Sequence, residues 1–218
     1  TKGLATAATA TAAAIALVSK AAIDAYSNFE QLEGGVKTIF GDASKQVMKD
    51  AAEAYKVSGV SMNQYMNQIN SFGAALKQSL GGDVQQAAKY GNIAIKDMAD
   101  NASVFGSNLQ DVQNAYQGFA KQNYTMLDNL KLGYGGTKSE MQRLIADANK
   151  LEKAQGRAGD LTIEKYSDVI QAIHDVQEAQ GLTGNSAREA AHTIQGSIQT
   201  MGAAWENWLT ALADPRGD

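Results

Sequence analysis

Residues 81–106 read GGDVQQAAKYGNIAIKDMADNASVFG, and this stretch decides the fold class. Val84, Ala88, Gly91, Ile95, Met98, Ala102 and Phe105 follow one another in alternating steps of four and three. That spacing lays one apolar stripe along an α-helix and fits no strand, whose side chains alternate every second residue. Asp83, with Gln86 three positions later, marks the start, because a side-chain oxygen there can accept from an amide that the first helical turn leaves unpaired. Gly106 marks the end, since glycine takes the left-handed conformation that closes a helix.

The same punctuation repeats outward along the chain. Ser61 with Gln64, Ser107 with Gln110, Thr137 with Glu140 and Ser186 with Glu189 all have the spacing of a capping box. Helix breaks are expected near Gly34-Gly35, Gly59, Gly81-Gly82, Gly106, Gly133 to Gly136, Gly156 to Gly159 and Gly181 to Gly184. A second stripe runs through Ala187, Ala191, Ile194, Ile198, Met201, Trp205, Trp208 and Leu212, and a shorter one through Tyr166, Ile170 and Ile173. Such stripes need partner helices, in the same chain or in another copy.

Composition agrees. Among 218 residues there are 37 alanines and a single proline, Pro215; alanine favours helix interiors and proline breaks them. The chain is expected to be all-α, with multiple helices joined by glycine-rich turns in a bundle or coiled-coil-like arrangement. Three regions are expected: an Ala-rich N-terminal helix at 1–33, a helical core at 34–155 and amphipathic helices at 156–218. Starting at Thr1 and stopping soon after an amphipathic helix, the sequence reads as a fragment of a much longer chain.

The chemistry is sparse. There is no cysteine, which excludes disulfides, thiolate metal sites and cysteine nucleophiles. His174 and His192 lack ligand-spaced neighbours and read as helix-surface or boundary residues. The run Gly133-Tyr134-Gly135-Gly136-Thr137-Lys138 lacks the Gly-Lys-Ser/Thr order of a phosphate loop and follows a helix, not a strand. Glu30 and Glu33 are ordinary surface spacing, not an acid pair. No catalytic set, metal site or cofactor is expected, and the chain is not expected to be an enzyme. With a net charge of −4 and no strongly basic segment, specific nucleic-acid binding is not expected either. Residues 3–19 carry no charge but consist mostly of Ala and Thr; they read as a close-packing helix ahead of a membrane-inserting one. The closing Arg216-Gly217-Asp218 reads as a chance tripeptide.

One stretch is more specific than any pattern. Residues 114–145, NAYQGFAKQNYTMLDNLKLGYGGTKSEMQRLI, closely resemble the core region of tail tape-measure proteins of tailed phages. The resemblance extends upstream through 61–113 and takes in FEQLEGGVKTIFGD at 29–42, so it covers most of residues 1–155; beyond Gly156 it is looser. It implies a structural virion protein that sets tail length during tube assembly, occupies the tail lumen and is ejected ahead of the DNA. It also implies copies running side by side, and contacts with tail tube protein, tail assembly chaperones and tail-tip proteins. Contact with the host membrane would come during ejection. Before release the protein would pass from host cytoplasm to virion. The segment resembling the family most includes Leu127, Leu130, Gly133, Tyr134, Gly135 and Gly136, which read as an interhelix turn. Self-association, most simply as a trimer, is expected through Ile194, Ile198, Met201, Trp205, Trp208 and Leu212. The rival reading is a secreted or membrane-active helical effector whose Ala-rich N-terminus inserts.

Overall fold

The computed structural model describes residues 2–192 and 194–213, with side-chain surroundings over 20–189 and 200–210. The chain is all-α, and no strand occurs among the described residues. The helices are α1 (Lys2–Phe40), α2 (Ser44–Val57), α3 (Met62–Ser79), α4 (Val84–Phe105), α5 (Leu109–Phe119), α6 (Lys138–Ala154), α7 (Tyr166–Ala179), α8 (Asn185–His192) and α9 (Ile194–Ala213). Short 3₁₀ turns occupy Gly41–Ala43 and Leu127–Leu130.

Local chemistry sets most boundaries. Ser61 and Gln64 form a complete capping box at the start of α3, with the Gln64 amide donating to Ser61 Oγ and the Ser61 amide donating to Gln64 Oε1. Asp83 accepts from the Gln85 and Gln86 amides at the start of α4, and Thr137 accepts from the Glu140 amide at the start of α6. Gly106 ends α4 at φ 60°, a conformation that costs a residue with a Cβ.

Three expectations need correction. Helix α5 is capped by Asn108, not Ser107, because Asn108 Oδ1 is the atom that accepts from the Gln110 backbone amide. Ser186 lies inside α8 and spends its hydroxyl on Asp100. No break occurs at Gly34-Gly35: α1 runs unbroken from Lys2 to Phe40, about 60 Å at the rise of an α-helix. These two glycines are helical, and Gly35 serves a close helix crossing instead.

That crossing organises the bundle. Helix α3 runs parallel to α1, and three of its side chains, one per heptad, donate to α1 carbonyls: Asn63 to Ala25 (3.1 Å), Asn70 to Leu32 (2.9 Å) and Lys77 to Ile39 (3.0 Å). Helix α4 packs on α3, α7 on α4 and α6 on α7, while α2 fills the space beside α3 and α4. The α4 stripe is buried as its spacing implies, with Ile95 and Met98 fully enclosed and Val84, Ala102 and Phe105 packed against the core. Tyr166, Ile170 and Ile173 are buried too. The helices fold back on one another, so this segment is a packed body and not an extended rod.

Candidate functional site

The segment 119–147 is closed upon itself. Tyr124 stacks on Phe119 and its hydroxyl donates to the Ile163 carbonyl, while Asn123 Oδ1 accepts from the Thr125 amide and hydroxyl. Leu127 and Leu130 are fully buried. The chain then turns through Gly133 to Gly136, where a Cβ on Gly136 would collide with the Thr125 carbonyl. Arg143 fastens the turn to α6: its guanidinium lies 4.3 Å from the Tyr134 ring centroid, donates to the Gly133 carbonyl at 2.8 Å, and pairs with Glu140. Glu140 in turn accepts from the Gly135 amide at 3.0 Å, and Tyr134 donates to Asp147. The Arg143 hydrogen bond, with the Gly135 amide, holds the Glu140 carboxyl down at about 2. Burial, with the Asp147 carboxylate, pushes the Tyr134 phenol up to about 12. The turn residues therefore act on each other.

Behind this turn lies a buried polar seam between α4, α6, α7 and α8. Asn101 Nδ2 donates to the Leu130 carbonyl at 2.8 Å and to Gln177 Oε1 at 3.1 Å, tying the turn to the core. Arg157 bridges Glu152 (2.9 Å) and Asp175 (2.7 Å). His174 Nδ1 lies 3.0 Å from Asp97 Oδ1, with the carboxylate side chain 1% exposed and the imidazole 24%. His174 is thus a boundary histidine, as expected from sequence, and forms an ion pair with Asp97 when protonated. Burial pushes the Asp97 carboxyl up to about 6 against the pull of His174, and the Asp97 hydrogen bond raises the imidazole. Asp100 accepts from the Gly184 amide, the Ser186 amide and the Ser186 hydroxyl, at 2.7, 2.8 and 2.6 Å. Sequence reasoning passed over Asp97, Asp100 and Asn101. Their signal was positional, because they flank Met98 and Ala102 on the buried stripe when ordinary surface charges would lie opposite it. Among the described residues no three His, Asp or Glu side chains converge as metal ligands would.

The third feature is α9. Met201, Trp205 and Trp208 are 71%, 54% and 47% exposed, and the two indoles stack with centroids 4.7 Å apart. The helix meets the bundle with its other side, through buried Ala203, Leu209 and Thr210, and Asn207 Oδ1 accepts from the Met62 amide at the start of α3. The side chains of Ile194, Ile198, Leu212, Ala191 and His192 lie outside the described residues, as do the side chains of the 3–19 stretch and all of Arg216-Gly217-Asp218. A cleft of about 540 Å³ separates the α8–α9 arm from α4 and the start of α5, lined by Ala99, Ser103, Gly106, Ser186, Gly202 and Glu206 among others.

No family model, curated protein or solved structure matches the chain.

The site must therefore be read from its own chemistry. Of the three features, the turn is locked by its own side chains and the seam is enclosed, with Asn101 Oδ1 and Asp175 Oδ2 left without a hydrogen-bond partner, while the exposed apolar strip on α9 is the one that offers surface to another molecule. No described helix is long and apolar enough to cross a membrane.

Proposed function

We propose that this chain is a folded segment of the tail tape measure of a tailed phage, a structural virion protein and not an enzyme. The reading is carried by one observation, the stretch 114–145 with its upstream continuation to Ser61, which resembles the core of that family. The role of these residues in the fold supports it: Leu127 and Leu130 anchor a turn, and Tyr134, Glu140 and Arg143 lock it, as a structural motif would require. Their arrangement holds backbone geometry, which suits a structural role.

In this role the protein would govern tail length, lie in the tube lumen and leave ahead of the genome. Its copies would associate through Met201, Trp205 and Trp208, with tube protein, assembly chaperones and tail-tip proteins as further partners. A net charge of −4 suits a protein that shares the lumen's path with DNA without binding it. A single helix gains about 1.5 Å per residue, whereas helices folded back on themselves gain far less. This segment would therefore act as a body attached to the ruler, and the ruler's length would come from elsewhere in the parent protein.

The test is an in-frame deletion of this segment from the parent gene, followed by electron microscopy of the particles. Loss of tails, or tails of altered length, is the expected result. Tails of unchanged number and length would overturn the proposal.

A further inference from the structure

Asp97 and Asp100 lie one turn apart on α4, and both are almost fully buried. Among the described residues Asp97 has one cationic partner, His174. The hydrogen bonds of Asp100 come from the Gly184 and Ser186 amides and the Ser186 hydroxyl, so a single carboxylate holds the entry to α8. Among the remaining groups, the Arg188 guanidinium of α8 lies beside Gly184 and donates to the Thr183 carbonyl. From α7 come Asp175 and Glu178 beside His174, and from α5 the buried phenol of Tyr116. From α6 and the turn after it come Glu152 and Arg157, the guanidinium already bonded to Glu152 and Asp175. Toward α2, Lys96 acts on Asp50, and toward α3, Tyr65 bonds Asn92.

The cleft borders this same place, since Ala99, Ser103 and Ser186 line it and flank Asp100. The cleft thus brings water to the α8 anchor, and the half-buried imidazole of His174 meets water on the α7 side.

We propose that the α4–α7–α8 seam is a proton-gated latch: protonated His174 keeps the α8 entry fastened to Asp100, and loss of that proton unfastens it. This goes beyond the tail reading and does not depend on it. When the imidazole becomes neutral, Asp97 is left as a buried charge without a counter-ion, one turn from a second carboxylate. Burying such a charge is costly unless it is paired or hydrated. The cleft gives hydration an entry beside Ser186, where it competes with the Gly184 and Ser186 amides for Asp100. The sign is definite. His174 is raised, so its contribution is present below the ordinary imidazole range and lost as pH rises through the raised value. Asp97 is raised to about 6, so its ionisation works in the same direction. The latch is tight on the acid side of neutrality and loosens above it.

The experiment is amide hydrogen exchange by NMR on the full chain, at about pH 6 and about pH 8.5, corrected for the intrinsic exchange rate. Protection at Gly184 and Ser186 is expected to fall roughly tenfold, the equivalent of one pKa unit of coupling, while Ile69 and Phe72 in α3 keep theirs. Asp97→Asn removes the charge and keeps the shape, so protection should stay high at both pH values. His174→Gln should be low at about pH 8.5, where Asp97 is ionised without a counter-ion, and if it fails to fold, Asp97→Asn decides alone. Protection independent of pH in the native chain, a native-like fall in Asp97→Asn, or a parallel fall in α3 would each overturn the proposal.

Discussion

Asn70 enters α1 at Gly35: a Cβ on that glycine would lie 2.6 Å from Asn70 Nδ2, and the same amide donates to the Leu32 carbonyl at 2.9 Å. The glycine is therefore the notch that fixes the register of two parallel helices. Without the notch, the heptad spacing of Asn63, Asn70 and Lys77 would fit a slide of one repeat almost as well. Gly73 against Phe40 and Gly91 against Ile69 are further close approaches of the same kind.

Gly35→Ala should destabilise the chain even though alanine is the better helix former by about 1 kcal/mol, because the methyl displaces Asn70. Gly35→Leu should cost about 1–3 kcal/mol or more as overpacking. Gly34→Ala, whose Cβ meets nothing within 4 Å, should be neutral or stabilising. Urea unfolding of the three variants checks the order; equal effects at 34 and 35 would refute the notch.

This contrast shows what the sequence could disclose. Glycines at 59, 106 and 181 were legible as helix ends because the cause is local, lying in the backbone of the glycine itself. Gly34-Gly35 looked the same in sequence, yet its reason sits in Asn70, far along the chain. The pairing of His174 was illegible for the same cause, since its partner Asp97 lies on another helix. At α9, periodicity disclosed an apolar face but not which side the bundle would take. Ala203, Leu209 and Thr210 turn inward while Met201, Trp205 and Trp208 turn out. In the candidate site, the 127–136 turn was visible through its glycines, whereas the Arg143 and Glu140 contacts that lock it depend on how α6 folds back onto the turn.

Asn101 is the joint between the turn and the core. Asn101→Ala leaves the Leu130 carbonyl and Gln177 Oε1 without this donor inside the protein. An unsatisfied buried acceptor costs about 1–3 kcal/mol, so a loss of about 2–4 kcal/mol is expected from thermal or urea unfolding. Asn101→Asp, which removes the donor and adds a charge beside Asp97 and Asp100, should be worse than alanine.

The turn lock should persist to unusually low pH. Glu140 is held down at about 2 by Arg143 and the Gly135 amide. A lowered carboxyl stabilises above its unfolded value and loses that contribution as pH falls through the folded one. The Gly135 amide resonance should therefore stay at its neutral-pH position through pH 4 and move only toward about 2. In Glu140→Gln it should lose this titration. Movement centred on the ordinary carboxylate range would show that the contact does not persist in solution.

The exposed strip on α9 makes self-association the expected state of the chain. Met201, Trp205 and Trp208 are largely solvent-exposed, and fully burying each such side chain is worth roughly 1.5–3 kcal/mol. The bundle does not use this face, because α9 is already seated on α1 and α3 through its opposite side and through Asn207. Folding back onto the body would require α9 to give up the buried Ala203, Leu209 and Thr210, which cancels much of the gain. A second copy can cover the indoles without that loss. The double variant Trp205→Ala with Trp208→Glu should therefore be monomeric and keep most of its helicity, since both positions face solvent. Sedimentation velocity at high micromolar concentration separates the outcomes. An unmodified chain that sediments as a monomer there would remove the case for this surface, and a double variant that still associates would place the contact elsewhere.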